Sequence, residues 1–198
     1  MALGRFGARF FSSSSQQSHL LFLGVRWIVI SAEYCRLLAQ YNRWMNERLY
    51  AVAGELTDAE RKRDRGAFFG SIHRTQNHIL WGDRIWLGRF TSKPYTIPAY
   101  GADTFDDFEA LLHERRNTDA AISRWSGEVT DAWLASAIEY RAASDGRRRQ
   151  LPAWIAAVHL FQHATHHRGQ LTTLLKQAGK EPGVTDVPYM PGIVRLLD

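Results

Sequence analysis

Four histidines fall within nine residues near the end of this 198-residue chain, which contains eight in all. They are His159, His163, His166 and His167. Positions 156, 160, 163, 167, 171, 174 and 178 read Ala, Leu, His, His, Leu, Leu and Ala, with the three-and-four spacing of one buried helix face. Two histidines therefore occupy core positions on an otherwise apolar face.

This spacing suits a metal site, because residues four apart on a helix lie one turn above each other. Two such imidazoles can place ring nitrogens about 2 Å from one ion. The pair is either His163 with His167 or His159 with His163, and spacing alone leaves both open. The His-Glu-x-x-His pattern of zinc proteases is excluded, since Ala164 follows His163.

A third ligand should come from a neighbouring helix, and His78 is the best candidate. It lies midway along a second predicted helix, with the small residues Ser71, Thr75 and Gly82 on its side. A glycine inside a helix costs about 1 kcal/mol relative to alanine, so Gly169 in the last helix predicts that another group approaches it closely. The competing interpretation of any single histidine is a hydrogen-bonded core residue.

The remaining candidates are assigned by position. His166 points partly away from the pair. It is predicted either to be exposed or to contact one of the metal-binding histidines without binding the ion itself. His73 could line the bundle interior, whereas His19 and His113 are expected at the surface. Asp83, about one turn after His78, could orient a metal ligand by a hydrogen bond.

Helical periodicity predicts the elements that hold these side chains. The predicted long helices cover residues 31–54, 67–90, 104–127 and 152–179, with a short capped turn from Thr57. Asp145-Gly146 favours a β-hairpin with strands near 134–141 and 147–151. Four amphipathic helices pack most economically as a bundle, so we expect an all-α four-helix bundle with a small β-hairpin between helices 3 and 4.

Composition narrows the function classes. The formal charge is +5, and three arginines without an acid in residues 1–30 leave +2 for the rest, which argues against nucleic-acid binding. The basic run 147–149 is predicted to be a solvated turn. No apolar stretch approaches the about 20 residues that span a bilayer, so no membrane association is expected. The single cysteine, Cys35, excludes an internal disulfide, favours a cytoplasmic location, and is predicted to be a buried, inert thiol.

Residues 1–30 differ from the rest, with Ser12 to Ser15 in a row, three arginines and no carboxylate. They are predicted to be an N-terminal extension, either disordered or the product of a mis-assigned start. Two interpretations stay open, a targeting segment or sequence upstream of the true start. Val29, just before a helix that opens at Ser31, favours the second. The domain is therefore placed at residues 31–198.

Four segments carry a family resemblance: NRWMNERLY (42–50), GAFFGSIHRTQNHILWGDRIWLGRF (66–90), HLFQHATHHRGQ (159–170) and PGVTDVP (182–188). They resemble the DinB family of damage-inducible proteins, which is related to the YfiT-like metalloenzymes and distinct from the DNA polymerase of the same name. The resemblance covers essentially residues 31–198. It implies a divalent metal on His78, His163 and His167, and therefore decides against His159.

The resemblance also implies a homodimer and two alternative functions. Relatives in the wider superfamily include thiol-dependent S-transferases and a mycothiol-dependent isomerase. One expectation is therefore a metal-dependent enzyme with a small-molecule substrate, a low-molecular-weight thiol above all. The alternative is a non-catalytic, stress- or DNA-damage-induced module with a structural metal. Zn²⁺ is the first expectation, with Ni²⁺, Fe²⁺ or Mn²⁺ as alternatives.

Overall fold

Four long helices and one β-hairpin make up the fold in the computed structural model, which describes residues 30–99, 101–143 and 145–195. The elements are α1 (Ala32–Gly54), α2 (Asp58–Lys62), α3 (Ile72–Thr91), α4 (Phe108–Glu128), α5 (Asp131–Leu134), β1 (Ala137–Arg141), β2 (Arg148–Pro152) and α6 (Ala153–Gln177). Helices α2 and α5 are single short turns. The predicted all-α bundle with a small hairpin before its last helix is confirmed.

The four long helices form a closed ring in which α1 and α3 each pack mainly against α4 and α6. Two apolar clusters fill the two ends of the bundle. One cluster includes Leu49, Ile72, Leu111 and Leu175, and the other includes Ala39, Leu87, Ile122 and Leu160. The four residues named for the first cluster lie near the C-terminal ends of α1 and α6 and near the N-terminal ends of α3 and α4. Helices α1 and α6 therefore run in one direction, and α3 and α4 run in the other.

A buried polar layer separates the two apolar clusters. Arg115 on α4 is 1% exposed, and it donates Nη1 to Asp83 on α3 at 2.7 Å and lies 2.8 Å from Asp119 through Nη2. Arg168 on α6 donates to the Asn42 side chain on α1. Burial alone would lower the pKa of Arg115, but the carboxylates of Asp119 and Asp83 raise it above its usual range. This network contacts all four helices and was not predicted from the sequence.

The second long helix begins later than predicted, at Ile72 instead of residue 67. Gly70 has a φ of 76°, in the left-handed region that glycine adopts at little cost, and this turn ends any continuous helix. Ser71 then caps α3 by accepting the Arg74 N–H at 3.2 Å. Phe69 consequently lies in a loop beside the helix instead of on its first turn.

The third long helix also begins later, at Phe108 instead of residue 104. Asp107 caps it by accepting the Ala110 N–H at 2.8 Å. The side-chain oxygen of Asn77 accepts the backbone N–H groups of Thr104 and Phe105, both at 2.9 Å, so these two residues belong to a loop held against α3.

The other boundaries agree closely with the sequence. Ser31 caps α1 and Thr57 forms a capping box with Glu60, both as predicted. The hairpin pairs Ala137 with Pro152 and Arg141 with Arg148 in antiparallel register. Residues near 134 were predicted to begin its first strand, but they form the short helix α5 instead.

Several smaller expectations can be compared with the structure. Cys35 is fully buried, as predicted, and burial raises its pKa to about 11, so the thiol stays protonated near pH 7. Residues 147–149 are exposed, as predicted. Among the described residues, every helix is too short or too polar to cross a bilayer. The expectations for residues 1–29, His19 included, lie outside the described residues.

Candidate metal centre

Three histidines from two antiparallel helices converge at the surface between α3 and α6. Nε2 of His78 lies 3.1 Å from Nε2 of His163, and one ring nitrogen from each of His78, His163 and His167 lies within 4.8 Å of the other two. Nitrogens around a tetrahedral ion at 2.0–2.1 Å are about 3.3 Å apart. The three imidazoles could therefore hold one ion after small side-chain adjustments.

Gly82 makes room for this arrangement on α3. A Cβ atom at this position would lie 2.5 Å from Cε1 of His163, closer than side chains pack. The prediction of space beside His78 is therefore correct for Gly82. The matching prediction for Gly169 is wrong, because nothing lies within 4 Å of a Cβ atom placed there.

The two glycines predict opposite effects of the same substitution. We expect Gly82→Ala to displace the His163 ring, to weaken metal binding at least tenfold and to lower the melting temperature. Gly169→Ala should leave metal binding unchanged and stabilise the protein by up to about 1 kcal/mol, because α6 gains helix propensity without a clash. Thermal unfolding and competition with a chelating dye measure both quantities. Equal metal affinity in the two variants would contradict the assigned role of Gly82.

The histidine cluster is electrically neutral near pH 7. Burial, with a smaller contribution from His167, lowers the pKa of His78 to about 4. Burial and the neighbouring imidazoles lower the pKa of His163 to about 3, and burial also lowers the pKa of His167. Each ring therefore has a free electron pair for a ligand at physiological pH, since only unprotonated imidazole binds metal.

These shifts predict how the stability of the metal-free protein depends on pH. The unfolded chain keeps imidazoles near their ordinary pKa of 6.5, so below that pH it binds more protons than the folded protein. The free energy of unfolding should therefore fall as pH drops from about 6.5 towards 4. Thermal unfolding should show a flatter dependence in His163→Gln and the original dependence in His113→Gln, which alters an exposed histidine. Identical profiles for all three proteins would contradict the assignment.

Side chains around the cluster orient and cover it. Nδ1 of His167 lies 2.8 Å from Oε1 of Gln170, which fixes that nitrogen as the donor and leaves Nε2 for the cluster. The Phe69 ring stacks on His78 with centroids 3.9 Å apart and lies 5.4 Å from His167. Neither residue was identified from the sequence. The Gln170 contact follows from its i+3 spacing to His167, whereas Phe69 lies in a loop that no helical pattern reveals.

The other predicted site residues lie elsewhere. His159 is exposed with its ring 5.6 Å from that of His163, and it is not part of the three-nitrogen group. His73 is buried and bonds the Phe105 carbonyl at 2.8 Å, which ties the loop before α4 to α3. The prediction that Asp83 orients a ligand is wrong, because this fully buried carboxylate pairs with Arg115 in the polar layer.

Two further predicted side chains are exposed. His166 lies at the surface with its ring 4.8 Å from that of His167, and its Nε2 is 3.5 Å from the Gln170 amide nitrogen. His113 is exposed on α4, as predicted.

Comparison with known proteins places this bundle in a family. The sequence model of the DinB family matches residues 31–192, so the chain belongs to the DinB family. It is similar to the protein DinB of Bacillus subtilis (strain 168), with 23% identity over 171 residues that cover 78% of this chain and 92% of that protein. The homodimer and the cytoplasmic location stay predictions.

A solved structure shows the same fold. It is a crystal structure of a DinB-like protein from Bacillus cereus ATCC 10987, with a TM-score of 0.53 and 23% identity. The match covers 71% of this chain and 90% of that one. At this identity the similarity extends to the bundle architecture alone.

Proposed function

We propose that His78, His163 and His167 bind one divalent metal ion, with Zn²⁺ as the first expectation. The observation that carries this proposal is the convergence of three neutral imidazole nitrogens within 4.8 Å of one another. Three histidines with an open fourth position are the donor set of catalytic zinc sites, whereas structural zinc sites usually have four protein ligands. Ni²⁺, Fe²⁺ and Mn²⁺ are alternatives that imidazole also binds.

We propose further that the centre is catalytic. A divalent ion held by three neutral ligands keeps its full charge and lowers the pKa of a water or thiol in the open position. The wall beside that position is apolar, since Phe69 and Trp81 both stack on His78. These rings exclude bulk water from one side of the cluster and suit a sulfur-containing ligand better than a strongly hydrated one.

The charges at the mouth of the site favour thiol transfer over hydrolysis. Asp103 lies at this mouth, but its carboxylate is paired with Arg74 at 3.6 Å and is not free to act as a general base. Within the described part of the chain, the metal-binding group itself contains three histidines and no carboxylate. A thiol needs only to lose its proton to become a strong nucleophile, so an adjacent base is not required.

The proposed reaction is therefore a thiol-dependent S-transfer. The thiol proton passes to solvent, and the sulfur forms a new bond to an electrophilic carbon. The leaving group departs with the electron pair of the bond that breaks. Cys35 takes no part, because it is buried and its thiol is protonated.

Turnover by metal-loaded protein tests the proposal. Glutathione, bacillithiol and mycothiol are each supplied with 1-chloro-2,4-dinitrobenzene, and the rate is compared with that of the triple His→Ala variant. Lowering a thiol pKa from about 8.5 to about 7 raises the thiolate fraction at pH 7 roughly fifteenfold, and the lower nucleophilicity of the more acidic thiolate reduces the expected rate difference to about threefold. Equal rates for every thiol would overturn the transferase.

A non-catalytic module with a structural metal is the second candidate, and the position of the cluster favours it in one respect. The three ligands connect α3 with α6, so a bound ion cross-links two helices and adds to folding stability. Metal removal would then lower the melting temperature sharply, and the bound ion would show no exchangeable ligand. Turnover by the same preparation, together with an exchangeable fourth ligand on the ion, would instead support the enzyme.

A further inference from the structure

An arginine in the last turn of α3 contacts two neighbouring aromatic rings. The Cζ atom of Arg89 is 4.4 Å from the ring centre of Trp86 and 4.3 Å from that of Tyr140, and these two ring centres are 5.2 Å apart. Its Nη2 donates to the Arg141 carbonyl at 3.1 Å, which connects α3 to strand β1. A guanidinium has five N–H donors, so this hydrogen bond leaves others for a further acceptor.

No carboxylate of the described chain neutralises Arg89. The nearest candidate on the hairpin, Glu139, is paired with Arg148 at 2.6 Å. Burial lowers the pKa of Arg89, which shows that its half-buried charge has lost part of its hydration. A desolvated cation without an internal counter-ion is a site where an external anion gains binding energy.

Arg89 borders a cavity of about 450 Å³ between the end of α3 and the hairpin. Arg141 lines the same cavity and donates to the Gly146 carbonyl, with no carboxylate partner among the described residues. Arg84 also lines it but is paired with Glu114. Glu139 lines the cavity as well, and its carboxylate is the one paired with Arg148. The cavity therefore presents two cations without a carboxylate partner, in a volume typical of small-molecule sites.

A strip of rings runs from Arg89, which contacts Trp86, to the histidine cluster. The Trp86 ring lies 4.9 Å from that of His159, and the His159 ring lies 5.6 Å from that of His163. One extended ligand can therefore contact both ends of the strip.

We propose that Arg89, with Arg141 beside it, binds a carboxylate of the substrate whose other end reaches His163. The identity of that other end as a thiol rests on the proposed function. The ligand class is then a peptide-sized thiol with a carboxylate roughly two helical turns, about 11 Å, from its sulfur. A planar guanidinium binds a carboxylate through two parallel hydrogen bonds, which favours this group over a neutral one.

The experiment separates this anion site from the metal chemistry. S-methylglutathione has two carboxylates and no free thiol, and it is titrated into metal-free protein by calorimetry. We expect Arg89→Gln to bind S-methylglutathione at least tenfold more weakly than the original protein does. The dimethyl ester of S-methylglutathione should bind the original protein as weakly as S-methylglutathione binds Arg89→Gln. Arg147→Gln, which alters an exposed arginine beside the hairpin that does not line the cavity, should bind S-methylglutathione like the original protein.

Arg89 also anchors the hairpin, so a structural explanation needs its own control. Arg89→Lys keeps the charge but loses the planar fork of N–H donors. It should retain part of the affinity for S-methylglutathione and part of the salt dependence of that affinity. Arg89→Gln should lose both the affinity and its salt dependence. The proposal would be overturned if Arg89→Gln bound S-methylglutathione as tightly as the original protein does. It would also be overturned if the original protein bound the dimethyl ester as tightly as S-methylglutathione. Tighter binding of inorganic phosphate than of S-methylglutathione would overturn the carboxylate assignment. Because neither metal nor thiol is present, these outcomes are independent of whether the S-transfer assay succeeds.

Discussion

His163→Ala is expected to abolish stoichiometric metal binding. Its Nε2 lies 3.1 Å from that of His78 and its ring centre lies 4.5 Å from that of His167, so it is central to the three-nitrogen group. Losing a residue that merely orients a ligand typically costs 10- to 100-fold in metal affinity, and losing the ligand itself should cost more than about a hundredfold. Metal content after dialysis, followed by competition with a chelating dye, measures this loss.

His159→Ala is the matched control for this prediction. His159 lies one turn before His163 on the same helix and is exposed, so its removal eliminates an imidazole without touching the group of three. Metal content should stay near one ion per chain in this variant. Undiminished metal in both His163→Ala and His167→Ala would rule out the centre. A loss in His159→Ala and His163→Ala but not in His167→Ala would instead place the site one turn earlier, on the pair that spacing alone left open.

Arg115→Ala should destabilise the bundle by about 3–5 kcal/mol, because it leaves two buried carboxylates without their cation. Asp83 is fully buried and Asp119 is 4% exposed. Burial raises the pKa of each carboxyl and Arg115 lowers it, so removing the guanidinium shifts both towards the protonated form. Urea unfolding at pH 7 measures the loss of stability.

Arg116→Ala provides the control, since it removes an exposed arginine one position along the same helix. Its effect should stay within about 0.5 kcal/mol, as for most surface substitutions. The destabilisation by Arg115→Ala should also shrink when Asp83→Asn is added, because one of the stranded charges is then absent. A cost below about 1 kcal/mol for Arg115→Ala, or strict additivity of the two substitutions, would contradict a charge network that holds the helices in register.

The sequence contains enough information for the helices and the histidines but not for what surrounds them. Three-and-four spacing predicted the four long helices. Histidines on an apolar face indicated His163 with either His167 or His159, and the family resemblance decided for His167. The polar layer was missed because Asp83, Arg115 and Asp119 are charged residues that, in a linear sequence, read as a solvated surface. Their burial depends on all four long helices meeting at one level.

Local turn chemistry explains the errors at helix starts. The periodic pattern continued back through residue 67, but the left-handed turn at Gly70 and the cap at Ser71 set the observed start of α3. Gly169 shows the opposite error, since a glycine inside a helix suggested a close neighbour where the structure has open space. Composition cannot distinguish a glycine that a contact requires from one that the surface merely tolerates.

The direction of the helices has a consequence for the order of folding. Helix α1 leaves the ribosome first, yet its main neighbours are α4 and α6, while the next long helix, α3, lies diagonally across the ring. Its apolar face consequently stays uncovered until at least 74 further residues have been synthesised, from the end of α1 at Gly54 to the end of α4 at Glu128. The pairing of α3 with α6 joins residues far apart in the sequence, 85 positions for His78 and His163, and this raises the contact order, which slows folding. The nascent chain therefore depends on its last helix to complete both the ring and the histidine cluster.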